Sequence, residues 1–346
     1  MSNYLILACD GGGIRGYLSS LLLKRLNDDL GIFGTNNQNI DLYAGTSTGG
    51  LIALALAQGK TIDSIVELYA TKAADIFNPL GLQWSCLAPE YAVKEGLGEA
   101  FFPDPKELWQ VLFDNTGDPS LLTVLQGFVP GNPVLNTLPN KAMVATFQLS
   151  DSGDPASWNP LVLDNFTDAT GGSTYLYDAA LSTAAAPVYF PPYPHPQYGW
   201  CSDGGLFANN PAALAVGRAV QTGQQLGNIA LLSIGTGITA ASMDVTPDSR
   251  LCYGLKHWAW FETSGPTPPF PILNALMDGS SISNDKLTAS LLGGNYMRVN
   301  PTLLEAVALD DYSPETMKMF RHVVEKYVES SEWTTIVNWV KSVFHK

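Results

Sequence analysis

The stretch Ile40-Asp-Leu-Tyr-Ala-Gly-Thr-Ser-Thr-Gly-Gly-Leu-Ile-Ala-Leu-Ala-Leu-Ala-Gln58 decides the fold. Ile40–Ala44 is short and apolar, as a buried strand requires, and Leu51–Gln58 is an Ala/Leu-rich helix former. Gly45-Thr-Ser-Thr-Gly-Gly50 joins them. The same unit stands before it. Tyr4–Cys9 is a short apolar run, and Asp10-Gly-Gly-Gly-Ile-Arg-Gly16 follows at once. Leu18, Leu21, Leu22, Leu26 and Leu30 then recur at helical spacing over Tyr17–Leu30. Downstream, Thr61 is placed as the N-cap of a helix to about Ile76, with Asp63 in its first turn. The chain thus reads strand, glycine loop, helix, twice over, which implies a parallel sheet with helices packed on it.

Further out the alternation continues. Lys141–Leu149 and Leu161–Phe166 read as strands, and Tyr177–Ala185 as a small-residue helix ending before Pro187. Trp200–Ser202 runs into Asp203-Gly-Gly-Leu-Phe-Ala-Asn-Asn-Pro211, with Pro211 placed to open a helix through Gly217. Asn228–Ile234 is a buried strand ending in Gly235-Thr-Gly237. The pattern then turns helical, over Leu251–Phe261, Pro271–Leu292, Pro314–Glu329 and Trp333–Phe344. Phe77–Phe102 is rich in Gly, Pro and aromatics and reads as a long surface excursion. The expectation is an α/β core over residues 1–245, with a mostly helical portion over residues 246–346 packed on the same domain.

Composition narrows the function. Of 346 residues 46% are apolar and only 14% charged, which supports a large core and excludes disorder. Eighteen basic against 32 acidic residues leave a net charge of −14. That offers no broad footprint for nucleic acid, and little attraction to anionic membranes. Contact with lipid has to come from apolar surface. The start carries no basic segment, and its apolar run ends at Asp10, so no secretory signal is read. Ala179–Ser202 approaches the length of a membrane span but holds Pro187, Pro191, Pro192, Pro194 and Pro196, which a lipid-facing helix could not accommodate. Cys9, Cys86, Cys201 and Cys252 are far apart and form no ligand set, as in a reduced cytoplasmic protein.

Gly45-Thr-Ser-Thr-Gly49 matches G-x-S-x-G, in which small residues at both ends let the backbone fold tightly and push the serine hydroxyl out above the sheet. The other reading is a plain glycine-rich turn with a capping serine. The strand before it and the helix after it favour a nucleophile at Ser47. In the Asp10–Gly16 loop, consecutive glycines can present backbone N–H groups to one anion. No Lys-Ser or Lys-Thr closes a phosphate loop, and Asp28 and Asp29 fall inside the first helix instead of at a following strand end. An oxyanion facing Ser47 is the preferred reading. The base is less evident. His195, His257, His322 and His345 lie in no motif-like setting and read as surface or structural. Asp203, after a strand and before Gly204-Gly205, is the alternative; a desolvated pocket could raise its pKa toward a useful value. An Asp-Gly turn is its other reading.

Together these pieces resemble the patatin-like phospholipases, over most of the first 240 residues. Asp10-Gly-Gly-Gly-Ile-Arg-Gly16 is similar to that family's oxyanion loop and Gly45-Thr-Ser-Thr-Gly49 to its nucleophile elbow. Ser182-Thr-Ala-Ala-Ala-Pro187 with Phe190-Pro-Pro192 resembles the block before its aspartate. Asp203-Gly-Gly205 with Asn209-Asn-Pro211 resembles the aspartate motif, and Leu231–Gly237 a later strand. The resemblance implies a three-layer α/β sandwich with a mostly parallel sheet and added C-terminal helices. It implies a calcium-independent lipid acyl hydrolase of the phospholipase A or lysophospholipase type, with no metal or cofactor. Ser47 attacks a glycerolipid ester, Asp203 takes and returns the proton, and N–H groups of Gly12 and Gly13, with Gly11, hold the oxyanion. Arg15 either orders the loop or meets lipid phosphate, and the first is preferred. Phospholipid or lysolipid is the expected substrate, met by transient membrane contact. An acyltransferase would use the same acyl-enzyme. Some bacterial members respond to a cyclic nucleotide or a host protein, and no motif here assigns such an activator. Leu80–Phe102, with few charges, reads either as a docking lid or as a buried excursion.

Overall fold

The computed structural model describes residues 3–77, 121–150, 158–166, 171–239, 258 and 271–344. The Phe77–Phe102 excursion beyond Phe77, the lid reading of Leu80–Phe102, and the helix expected over Leu251–Phe261 apart from Trp258 lie outside them. The elements are β1 (Tyr4–Cys9), α1 (Gly16–Leu30), β2 (Leu42–Thr46), α2 (Thr48–Ala57), α3 (Ile62–Phe77), α4 (Leu121–Phe128), β3 (Ala142–Ser150), β4 (Asn159–Asp164) and α5 (Leu176–Ala184). There follow β5 (Tyr193–His195), β6 (Gly199–Asp203), α6 (Gly205–Ala208), α7 (Ala212–Gln221), β7 (Ile229–Ile234), α8 (Pro271–Leu292), β8 (Tyr296–Val299), α9 (Pro314–Tyr327) and α10 (Ser331–Val343).

The strands form one sheet in the order β5-β6-β3-β2-β1-β7-β8, with β4 also paired to β3. β1 is parallel to both β2 and β7, β2 to β3, and β7 to β8. This is the α/β architecture with a mostly parallel sheet that the alternation implies. Both faces are covered, which is why the strands read as unbroken apolar runs. Leu5, Leu7 and Cys9 of β1, Tyr43 of β2 and Leu232 of β7 point into a core built with α1 to α5, α9 and α10. The alternate residues Ile6, Ala8, Leu42, Ala44 and Leu231 point into a second core under α7 and the end of α8. The strand period of two thus divides each run between two helical layers.

Two strands carry no readable signal. β5 has three residues and β8 four, too few for a period to show. β8 lies within the portion read as mostly helical and pairs Leu231 with Tyr296 through Ile234 with Val299. That portion therefore contributes a strand to the sheet as well as helices.

The register around β3 positions the site. Gly45 of β2 and Leu163 of β4 flank Val144, while Ser202 of β6 and Pro160 of β4 flank Phe147. Hence β2 and β6 share the edge of β3 opposite β4. β2 runs parallel to β3 and β6 antiparallel, so they meet end to end, with Thr46 opposite Ala145 and Asp203 opposite Thr146.

Candidate active site

Ser47 is the first residue past the end of β2, and it caps α2 with φ 55° and ψ −128°. Such a positive φ is uncommon for a residue with a side chain and marks a strained turn. The flanking glycines explain how it is reached. A Cβ on Gly45 would stand 2.1 Å from the Gly49 carbonyl oxygen, and one on Gly49 2.2 Å from that of Cys9. No side chain fits at either place. The Ser47 N–H donates to Thr183 Oγ1 at 2.9 Å, and that hydroxyl donates to the Ala145 carbonyl at 2.6 Å. Thr46 Oγ1 donates to the Ala208 carbonyl at 2.6 Å, tying the elbow to the helix that follows Asp203. Thr46 and Thr183 sit inside motifs the sequence already marks, but their bonding shows only in the fold.

Asp203 ends β6 and is 1% exposed. Its N–H donates to the Ala185 carbonyl at 2.9 Å, and its Oδ1 accepts from the Gly205 N–H at 2.7 Å. Oδ2 is buried without a well-formed hydrogen bond among the described residues. Burial raises its pKa from 3.8 to about 7, against the opposing pull of the Ser47 hydroxyl and the Gly205 N–H. Gly204 is required here, since a Cβ on it would stand 2.4 Å from the Ala145 carbonyl oxygen.

The glycine loop runs beside the serine: a Cβ on Gly11 would meet Ser47 Cβ at 3.1 Å. The Gly12 and Gly13 N–H groups have no acceptor among the described residues. Gly11 departs from expectation, because its N–H donates to the Asn209 carbonyl at 2.9 Å and is not free for an oxyanion. Gly13 has φ 57°, and its Cα packs against the Leu309 carbonyl. Arg15 is 6% exposed, and its Nε donates to the Gly12 carbonyl at 3.4 Å. Burial opposes its charge, and the Asp278 carboxylate favours it.

Sequence reasoning assigned no role to three further residues at the loop. Asn209 Nδ2 donates to the Gly11 carbonyl at 3.3 Å. Arg298 of β8 and Ser281 of α8 both bond the Asp10 carboxylate. Asn209 lies in a motif and was findable there, whereas Arg298 and Ser281 stand in ordinary surroundings and carry no signal.

An apolar pocket opens at Ser47, lined by Leu51, Tyr69, Ile76, Leu121, Tyr189 and Met277. A second apolar pocket shares Leu51, Tyr69, Ile76 and Leu121 and extends past Val124 and Phe128. A larger cavity of about 350 Å³ has a mixed lining, with Asp10, Asn209, Asn274 and Asp278 beside Ile238 and Trp258. α8 separates the two environments, with Met277 on one side and Asn274 and Asp278 on the other.

His195 is not at the surface but 3% exposed, with its Nδ1 accepting from the Gln197 N–H at 3.1 Å; burial lowers its pKa. It pairs with Gly199, four residues along β6 from Asp203, or about 13 Å at strand rise. His322 lies on α9 beside Glu325. His257 and His345 are outside the described residues. Among the described residues no cluster of His, Cys, Asp and Glu could hold a metal ion, and no helix is long and apolar enough to cross a membrane.

The family model described as patatin-like phospholipase matches residues 7–216. Protein teg of Priestia megaterium is 28% identical over 88% of this chain and 89% of its own length. Patatin-like protein 2 of Arabidopsis thaliana is 28% identical over 90% of this chain and 79% of its own. A protein of Escherichia coli named cGAMP-activated phospholipase is 29% identical over 61% of this chain and 54% of its own.

Proposed function

Since this chain belongs to the patatin-like phospholipase family, a family of lipid ester hydrolases, we propose that it cleaves glycerolipid esters through a Ser47–Asp203 dyad. The observation that carries this reading is the end-to-end meeting of β2 and β6 on one edge of β3, with a strained serine at one end and a buried carboxylate at the other. Ionised Asp203 takes the proton as Ser47 Oγ attacks the ester carbonyl. Gly12 and Gly13 donate to the tetrahedral oxygen, and the positive end of α2 favours its charge. The Asp203 carboxyl then returns its proton to the leaving alcohol. Water, activated by the same carboxylate, hydrolyses the acyl-enzyme. Arg15 holds the loop through the Gly12 carbonyl.

The surroundings suit a lipid. The pockets beyond Ser47 are small, about 30 Å³ each, but their apolar lining suits acyl carbons, and the larger cavity past Asn209 offers both polar and apolar groups to the rest of the ester. With 32 acidic against 18 basic residues, contact with a lipid surface rests on apolar side chains and not on charge.

The test is covalent labelling with a fluorophosphonate, which mimics the tetrahedral acylation state. Ser47 is the expected adduct, and Asp203→Asn slows labelling and hydrolysis in parallel. Mass spectrometry of the products from a mixed lipid extract reads the substrate and separates hydrolysis from transfer to an alcohol. An adduct on another residue of an active preparation refutes the assignment.

A further inference from the structure

The chain beyond the family match, which ends at residue 216, closes on the glycine loop from behind. In the sheet, Ala8, Ser233 and Arg298 share one rung across β1, β7 and β8. From there the Arg298 guanidinium grips the Asp10 carboxylate with both terminal nitrogens, Nη1 to Oδ1 at 2.7 Å and Nη2 to Oδ2 at 2.5 Å. Nη1 also donates to Ser233 Oγ at 2.7 Å, and Ser281 Oγ of α8 donates to Asp10 Oδ2 at 2.7 Å. Asp10 is 2% exposed. The fork geometry is one that arginine makes and lysine does not.

Asp10 directly precedes Gly11-Gly12-Gly13. A bare carboxylate there opposes the charge that the free Gly12 and Gly13 N–H groups are placed to receive. In a dry interior that opposition is poorly screened. We propose that Arg298 is a positioning residue for the acyl-transfer site: it cancels the charge of Asp10 and, with Ser281, anchors the entry of the loop, so that Gly12 and Gly13 can face an oxyanion. On this account the C-terminal segment completes the site electrostatically while touching no reacting atom. The inference rests on the reading of Ser47 as nucleophile and of Gly12 and Gly13 as its donors.

The test compares Arg298→Gln, Arg298→Lys and the double variant Asp10→Asn/Arg298→Gln on a soluble, uncharged p-nitrophenyl ester, with folding followed by near-ultraviolet circular dichroism. Arg298→Gln leaves Asp10 without its paired countercharge, held by Ser281 and opposed, among the described residues, by the Arg15 charge alone, so kcat is expected to fall about a hundredfold, the size of one lost oxyanion donor, with KM within about twofold. Arg298→Lys, which keeps the charge and loses the fork, falls between. The double variant removes both charges of this buried pair and recovers at least about tenfold of the loss. A folded Arg298→Gln protein with wild-type kcat overturns the proposal, as does a double variant as slow as the single. If Arg298→Gln does not fold, the double variant decides alone. Replacing a buried ion pair with neutral groups is often tolerated, so turnover within about tenfold of wild type supports the proposal. A slower or unfolded double variant overturns it. Fluorophosphonate labelling of wild-type Ser47 separates these outcomes from failure of the underlying reading: a wild-type protein that labels elsewhere removes the dyad itself.

Discussion

Asp203 lies in the interior, where the Ser47 hydroxyl and the Gly205 N–H offset only part of the cost of its charge, and that cost shows in two measurable ways. With a pKa near 7, the carboxyl is protonated on the acid side and unable to accept a proton from Ser47. The rate constant kcat/KM on an uncharged ester is therefore expected to rise about tenfold per pH unit below about 7 and to level off above it. A profile flat from pH 5 to 8 contradicts Asp203 as base. The stability consequence has the opposite sense. The folded pKa of about 7 lies above the ordinary value of 3.8, so the stability this group contributes is complete below about pH 4 and is lost as pH rises through 7. Asp203→Asn removes the buried charge. It is expected to abolish turnover yet stabilise the protein at pH 8 by up to about 4 kcal/mol, with the gain vanishing at pH 4. Paired urea denaturations at the two pH values check this.

At the scale of elements, the β2–α2 elbow and the body of α7 treat glycine in opposite ways. A methyl on Gly49 meets the Cys9 and Asp10 carbonyl oxygens at 2.2 and 2.5 Å, so Gly49→Ala has to push β1 and α2 apart. A loss of about 3 kcal/mol is expected, read as a lower urea midpoint. Gly217, exposed in the middle of α7, has nothing within 4 Å of its Cβ position. Gly217→Ala is expected to gain about 1 kcal/mol from backbone entropy alone. The serine between Gly45 and Gly49 stores strain of the same origin. Ser47→Gly and Ser47→Ala both lose hydrolysis, but the glycine variant is expected to be the more stable by about 1 kcal/mol, because only glycine adopts φ 55° freely. Equal thermal melting points for the two variants would contradict a strained elbow.

At the scale of the whole molecule, β7 is buried along its entire length between β1 and β8. We propose that residues 1–245 and 246–346 fold as one unit, since β8 closes that edge and α9 and α10 pack into the core of α1. A chain ended after residue 245 is expected to expose β7 as an apolar edge, lose near-ultraviolet circular dichroism and aggregate. Retention of a native spectrum by that fragment would show the C-terminal portion to be an appendage.

Much of this was legible in the linear order. Leu22 and Leu26 repeat on one helical face, Tyr4–Cys9 is apolar throughout because both faces of β1 are covered, and Gly45 and Gly49 bracket a serine that needs a tight turn. Each of these is a local demand, met within one turn of chain or by a layer on either side, so the residues announce it wherever they stand. The paired sites were not local. Thr46 and Asp203 come together only because β3 accepts two strands on one edge with opposite directions. Asp10 finds Arg298 only because β7 and β8 set a common rung. The four residues of β8 carry too little pattern to reveal a strand, and an arginine in a short apolar run names no partner. A hydrogen bond between side chains hundreds of residues apart depends on register, which the sheet settles as a whole. The residue types and the fold class were thus set by the sequence alone, and the pKa of Asp203, the engagement of the Gly11 N–H and the reach of Arg298 were decided by tertiary structure.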